Sequence, residues 1–172
     1  MIRPCSDADI SAIEAIINES ARRYEGSIPP DCWHEPYMPR TELMAEIDAG
    51  VRFSGFERAE SLVGVMGVQL VRGVTLIRHA YVLPVHQGTG IGRALLDPLI
   101  HQRRGPMFVG TWADASWAIR FYQQRGFQMV KPEEQKNRLI RTYWNISPRQ
   151  REVSVVLRFV GEGTWRATGD RH

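Results

Sequence analysis

The sequence predicts an α/β (α+β) protein, a mixed and mostly antiparallel sheet flanked by helices. Two observations carry this. Three apolar runs, 51–56, 62–71 and 74–83, follow one another across short turns, which reads as an antiparallel meander. The third run then breaks at Pro84, passes three glycines, and becomes helical, with Ile91, Leu95 and Leu99 on one face.

In chain order, a short strand over 1–5 precedes Ser6, which can cap a helix, with Asp9 favourably placed in its first turn. Ile10, Ile13, Ile16 and Ile17 then recur at helical spacing, giving a helix over 7–22. Residues 24–40 follow no period. They hold four prolines and three large aromatics, which forbid a long regular element and suit a pocket wall as well as a packed cover. A helix over 41–49 turns Leu43, Met44 and Ile47 inward and stops at Gly50. Glycines within the 62–71 strand point to a bulge or close packing. The helix after the glycine turn runs to about 103, although Pro98 should kink or shorten it. A strand over 107–112, a helix over 115–125 stopped by Gly126, and a strand from 127 follow. An added helix over 133–144, with Leu139, Ile140 and Tyr143 on a face, is ended by Pro148. The strand 153–159 comes last, as an edge that could pair two subunits into a homodimer. One domain is expected over 1–160, with a polar tail over 161–172.

The chain has 172 residues and a net charge of +3. Its arginines are scattered among acids without a basic block, which argues against a nucleic-acid partner. No apolar stretch is long enough to span a membrane, and no signal-peptide core is present, so the expected location is cytoplasmic. Cys5 and Cys32 lack metal or redox spacing and are expected as free thiols. His34-Glu35 is not followed by a second histidine at position 38, so no metal is expected.

The glycine turn is the chemical centre. Glycines at 88, 90 and 92 allow positive φ and close ligand approach. Several amides then point outward at a helix N-terminus, an arrangement that binds phosphate. Arg93 stands where the dinucleotide fingerprint needs glycine, and no Lys-Ser/Thr pair follows for a P-loop. Gln87-Gly88-Thr89-Gly90-Ile91-Gly92, preceded by Val82-Leu83-Pro84, resembles the acyl-CoA motif of the GNAT N-acetyltransferase superfamily. Ala118 to Phe127, with Phe121-Tyr122 and Gly126-Phe127, resembles its second signature, A-x-x-F-Y-x-x-x-G-F. The two occur in the family's order with the expected strand between them.

The resemblance implies a GNAT fold whose sheet splays between the fourth and fifth strands (β4, 74–83, and β5, 107–112), with acetyl-CoA in the gap. A bulge near Tyr81, Val82 and Leu83 would free main-chain groups for the pantetheine arm, and the amides of Gln87 to Arg93 would hold the pyrophosphate. The N–H near Val82 would polarise the thioester, and Tyr122 would act as acid to the thiolate. Relatives often carry a β4 glutamate as base. None stands here, and His79 is the nearest titratable group; strand alternation puts it on one face with Tyr81, and Arg78 on the other. Glu25, Glu35 and His34 are weaker candidates. Ala115 stands where relatives often carry an asparagine that bonds CoA, with Ser116 or Asp114 the candidates to substitute. Trp33, His34, Tyr37 and Trp112 would line the acceptor site. The implied function is acetyl-CoA-dependent transfer to the primary amine of a small molecule. A protein or peptide N-acetyltransferase, whose open groove the 133–144 helix would obstruct, and a non-catalytic CoA-binding module are the alternatives.

Overall fold

The computed structural model describes residues 1–161, so the expected tail lies almost wholly outside the described residues. The chain divides into two compact units, Met1–Val109 and the part from Gly110 onward.

In the first unit, β1 (Ile2–Pro4), β2 (Arg52–Arg58), β3 (Ser61–Val71) and β4 (Val74–Val82) pair antiparallel in that order. The start of β5 (Met107–Trp112) joins β4 in parallel, with Thr75, Leu76 and Ile77 opposite Met107, Phe108 and Val109. Beyond the last of these pairs β4 runs on to Val82. Buried Thr75 pins the parallel corner. Its hydroxyl donates to the Arg104 carbonyl at 2.7 Å and accepts from the Arg104 N–H at 3.0 Å.

Helix α1 (Ile10–Ala21) and helix α2 (Arg40–Asp48) supply one core. Ile13, Ile16 and Ile17 pack with Met38, Leu43, Val51, Phe53 and Val65. On α2 the inward set differs from expectation: Leu43 is buried and Ile47 half-buried, while Met44 is 37% exposed. Residues 43 and 47 share a face one turn apart, whereas residue 44 lies about 100° round the helix. Between the helices, the side-chain amide of Asn18 clasps Met38. It accepts from the Met38 N–H at 2.7 Å and donates to its carbonyl at 2.9 Å. That clamp ties the aromatic loop to α1.

The N-terminal cap forms as expected. Asp9 accepts the Ser6 N–H at 2.8 Å and takes a fork from Arg3, both nitrogens at 2.9 Å. The Arg3 guanidinium, followed by the Ser6 N–H, lowers the Asp9 carboxyl to about 2. A depressed carboxyl contributes stability above its unfolded pKa of about 3.9, and loses it as pH falls through the folded value. Asp9→Asn should therefore destabilise by about 1 kcal/mol or less at pH 7. Melting curves of the two proteins should converge between about pH 4 and about pH 2. Burial, and then the Asp9 charge, push the nearby Cys5 thiol up to about 11, so it stays protonated at neutral pH.

Helix α3 (Ile91–Gln102) passes through Pro98 without ending. The proline removes one helical donor, and burial of Leu95, Leu96 and Leu99 offsets that loss. Gly64 of β3 lets α3 settle on the sheet: a Cβ there would stand 2.9 Å from the Ile91 side chain.

In the second unit the strand order is β5, then β7 (Ser154–Phe159), then β6 (Phe127–Met129). β6 and β7 are antiparallel, with Phe127 opposite Phe159 and Met129 opposite Leu157. Residues 153–159 are thus not an edge. With β5 and β6 as neighbours, both hydrogen-bonding sides of β7 have a partner strand, and the expected pairing of subunits through it does not hold. Helix α4 (Ser116–Gln124) precedes β6, and Gly126 ends its turn at φ +91°. Helix α5 (Glu133–Tyr143) buries Ile140 and Lys136, while Leu139 and Tyr143 are half-buried. Pro148 does not end this excursion. It opens a further helix, α6 (Pro148–Glu152), capped by the Ser147 hydroxyl. Proline fits the first turn because its missing N–H would lack a helical partner there.

Candidate functional site

β4 ends at Val82, and a single 3-10 turn over Pro84–His86 leads into the loop. Gly88 and Gly90 sit at φ +75° and +85°, and Gly90 is the residue before α3. Gly92 is already the second residue of the helix, so two glycines rather than three make the turn. Among the described residues, the amides of Gly88 and of Gly90 through Arg93 donate to no protein acceptor, and the first helical bond onto this turn runs from the Ala94 N–H to the Gly90 carbonyl. A Cβ at Gly88 or Gly90 would meet nothing within 4 Å. The result is an open row of outward N–H groups at the positive end of a helix dipole, which fits a pyrophosphate. The loop is braced from below. The Gln87 amide donates to the Val82 carbonyl at 3.0 Å and accepts from Arg23 at 2.7 Å, and the Thr89 hydroxyl donates to the His86 carbonyl at 2.5 Å. Arg93 is exposed and lies 3.5 Å from Asp97.

The β4 bulge lies earlier than expected. Val65 faces Tyr81 and Gly67 faces Arg78, so Met66 alone opposes His79 and Ala80. His79 takes φ +50°, a left-handed conformation that is costly for a residue with a Cβ. Gly67 makes room for it; a Cβ there would stand 2.8 Å from the Arg78 carbonyl. The bulge breaks alternation. Arg78 and His79, expected on opposite faces, both reach Glu46 of α2: Arg78 at 3.6 Å, and His79 through its Nε2. Beyond the bulge, the Leu83 N–H bonds to the Val63 carbonyl at 2.9 Å, while Val82 and Gly64 face each other. That is the pattern of a non-hydrogen-bonded antiparallel pair, so the Val82 N–H points away from β3. The Leu83 amide, by contrast, is already engaged.

Glu46 is the residue that sequence reasoning missed. It lies half-buried on the inward stripe of α2 beside Leu43 and Ile47. Burial pushes its carboxyl up, but the hydrogen bond from His79 and the charges of His79 and Arg78 outweigh this and hold it below its ordinary range. A charge on an inward stripe needs a partner, which was the available signal. The His79 ring also stacks on Phe53, centroids 6.2 Å apart.

Around Tyr81 the aromatic loop closes as one cluster. Tyr81 meets Tyr24 edge-on at 6.1 Å and Tyr37 at 6.5 Å; Tyr37 in turn stacks with Trp33 at 5.7 Å and His34 at 6.3 Å. Three of the four residues expected at the acceptor site are thereby brought together. The fourth, Trp112, is buried at the end of β5 in the second unit. Glu25 and Glu35 are exposed.

In the second unit Tyr122 is 5% exposed, with Phe121 at 5.0 Å and Phe127 at 5.5 Å, both edge-on. Ala115 is fully buried before α4. Ser116 is exposed at the first position of that helix.

The acetyltransferase (GNAT) domain profile matches residues 8–145, most of the chain. The protein belongs to the GNAT acetyltransferase family. It is an acetyl-CoA-dependent acyltransferase, and the unpartnered amides of the β4–α3 loop fit that anionic cofactor. No curated protein matches the sequence. Solved structures share the fold. A PaiA N-acetyltransferase from Thermoplasma acidophilum in complex with coenzyme A has TM-score 0.68 at 17% identity, covering 92% of this chain and 97% of its own. The ribosomal-protein-S18-alanine N-acetyltransferase of Escherichia coli has TM-score 0.64 at 16% identity, covering 96% and 99%. A GNAT-family acetyltransferase from Staphylococcus aureus has TM-score 0.67 at 17% identity, covering 92% and 97%. No helix among the described residues is long and apolar enough to cross a membrane.

Proposed function

We propose that this enzyme acetylates the primary amine of a small molecule, with residues 1–160 working as one catalytic domain in the cytoplasm. The observation that carries the acceptor class is the aromatic cluster of Trp33, His34, Tyr37 and Tyr81, held by the Asn18–Met38 clamp and adjoined by Tyr24. A compact wall of rings suits a small amphipathic amine, whose ammonium is also attracted to ring faces.

Acetyl-CoA supplies the electrophilic thioester and the leaving thiol. The amides of Gly88 to Arg93 hold its pyrophosphate, with Gln87 bracing the loop and Arg93 adding a contact at its rim; Ser116, at the start of α4, is a separate candidate for a cofactor contact. Tyr81, Val82 and Leu83 form the wall along the pantetheine arm. The Val82 N–H, turned away from β3, is the donor for the developing oxyanion. His79 removes a proton from the acceptor ammonium, so that the neutral amine can attack. Tyr122 gives its phenolic proton to the departing sulfur.

The test is thiol release from acetyl-CoA with spermidine, tryptamine, a free amino acid and a short Ala-terminated peptide. Turnover with one of the small amines at least about tenfold above the peptide is the expected result. A peptide preferred over all of them would assign the protein acceptor instead. Absence of thiol release despite acetyl-CoA binding would point to a non-catalytic module.

A further inference from the structure

His79 carries two oddities that a sheet histidine does not need. Its backbone is in the left-handed region without being glycine, and one ring nitrogen is tied to a half-buried carboxylate from another element. Strain of this kind persists only where the surroundings enforce it, and it gathers at working sites. Here it re-aims one side chain, because without the bulge His79 would point to the face opposite Arg78 and away from Glu46.

We infer that Glu46 is the positioning residue for His79: it accepts the Nε2 proton, fixes that tautomer, and leaves Nδ1 as the nitrogen that takes the proton of the acceptor amine. This rests on the reading of His79 as the base. An ionised carboxylate can only accept a hydrogen bond, so the nitrogen facing it carries the proton. Among the described residues Nδ1 has no hydrogen-bond partner, and the side chain keeps 17% of its surface exposed. Arg78 at 3.6 Å holds the other Glu46 oxygen, and Phe53 supports the ring plane. A carboxylate behind an imidazole orients it and stabilises the imidazolium without taking its proton.

The proton balance is complete. The ammonium proton moves to Nδ1, giving an imidazolium held against Glu46. The amine nitrogen forms its bond to the acetyl carbon as the carbon–sulfur bond breaks. The second amine proton leaves to water. The sulfur takes the Tyr122 proton, and Tyr122 and His79 return to their starting states through solvent.

The test is a two-bond proton–nitrogen correlation spectrum of the histidine rings at a pH where they are neutral, with His79 assigned by its loss in His79→Gln. Protonated Nε2 and bare Nδ1 are expected in the wild type, with a mixture of tautomers in Glu46→Ala. A wild-type ring protonated at Nδ1, or a spectrum unchanged by Glu46→Ala, overturns the inference. Activity is then followed with whichever amine gives the fastest thiol release. Glu46→Ala should lower kcat about 10–100-fold with KM for acetyl-CoA unchanged. The double variant with His79→Gln should be no slower than His79→Gln alone, since Glu46 acts through the ring. Multiplying losses overturn the inference. Should Glu46→Ala not fold, Glu46→Leu, which likewise removes the acceptor, serves in both arms. A full rate in His79→Gln overturns the base reading itself, while the tautomer still reports on Glu46.

Discussion

Gly90→Val should abolish the stabilisation that acetyl-CoA gives the wild type. At 100 times Kd a ligand raises native stability by about 2.7 kcal/mol, several degrees in the melting temperature of a chain this size. Gly90 sits at φ +85° immediately before α3. A β-branched residue is excluded from that conformation, so the turn must refold and carry the amides of Gly88 to Arg93 out of line. Misaligning two charge-assisted bonds, at about 1.5–3 kcal/mol each, weakens binding by more than about 100-fold. The control is Gly73→Val at the β3–β4 turn, where φ is +79° and a Cβ would likewise meet nothing within 4 Å. It should cost comparable stability yet keep the full acetyl-CoA shift. If Gly90→Val keeps it too, the loop is only a turn.

What the sequence disclosed and what it hid divide by the range of the interactions. Gln87 to Gly92 and Ala118 to Phe127 are local patterns, where glycine position, helix phase and apolar spacing lie within a dozen residues. Their elements appear where that spacing puts them. The strand over 74–82 was legible as well, but the direction of its side chains was not. Alternation assumes one residue opposite one. That fails at His79 and Ala80, because Met66 on the neighbouring strand opposes them both, a register fixed by residues about 13 positions away. The same slip hid Glu46, which meets His79 across 33 positions. It also set the expected bulge too late, over Tyr81 to Leu83. The aromatic loop shows a related limit. Its composition suggested a pocket wall, while the Asn18–Met38 clamp that shapes it joins residues 20 apart. At the other end of the chain, residues 153–159 were expected as an edge, although in space β7 lies between β5 and β6, a placement set by pairing across the sheet and not by local pattern.

Tyr122→Phe should lower kcat by about 10²-fold or more while leaving fold and acetyl-CoA binding nearly intact. The substitution deletes one oxygen from a ring that is 5% exposed and wedged edge-on against Phe121 and Phe127. A phenylalanine keeps that shape, so the packing cost is small, and loss of the hydroxyl's hydrogen bonding costs about 1 kcal/mol. The chemical cost is larger. Without the phenol the thiolate must leave unprotonated or draw its proton from water, and a positioned general acid contributes typically about 10²–10⁴-fold. The two roles open to Tyr122 thus separate in one variant. A core aromatic would give a slightly lower melting temperature and an unchanged kcat. A general acid would give a similar melting temperature, an undiminished shift on adding acetyl-CoA, and slow thiol release. The leaving group supplies a second discriminator. Replacing acetyl-CoA by a thioester with a more acidic thiol should recover part of the rate in Tyr122→Phe and little in the wild type, because the better leaving group needs less protonation. Equal gains in both proteins would remove Tyr122 from the chemistry and return it to the packing around Phe127.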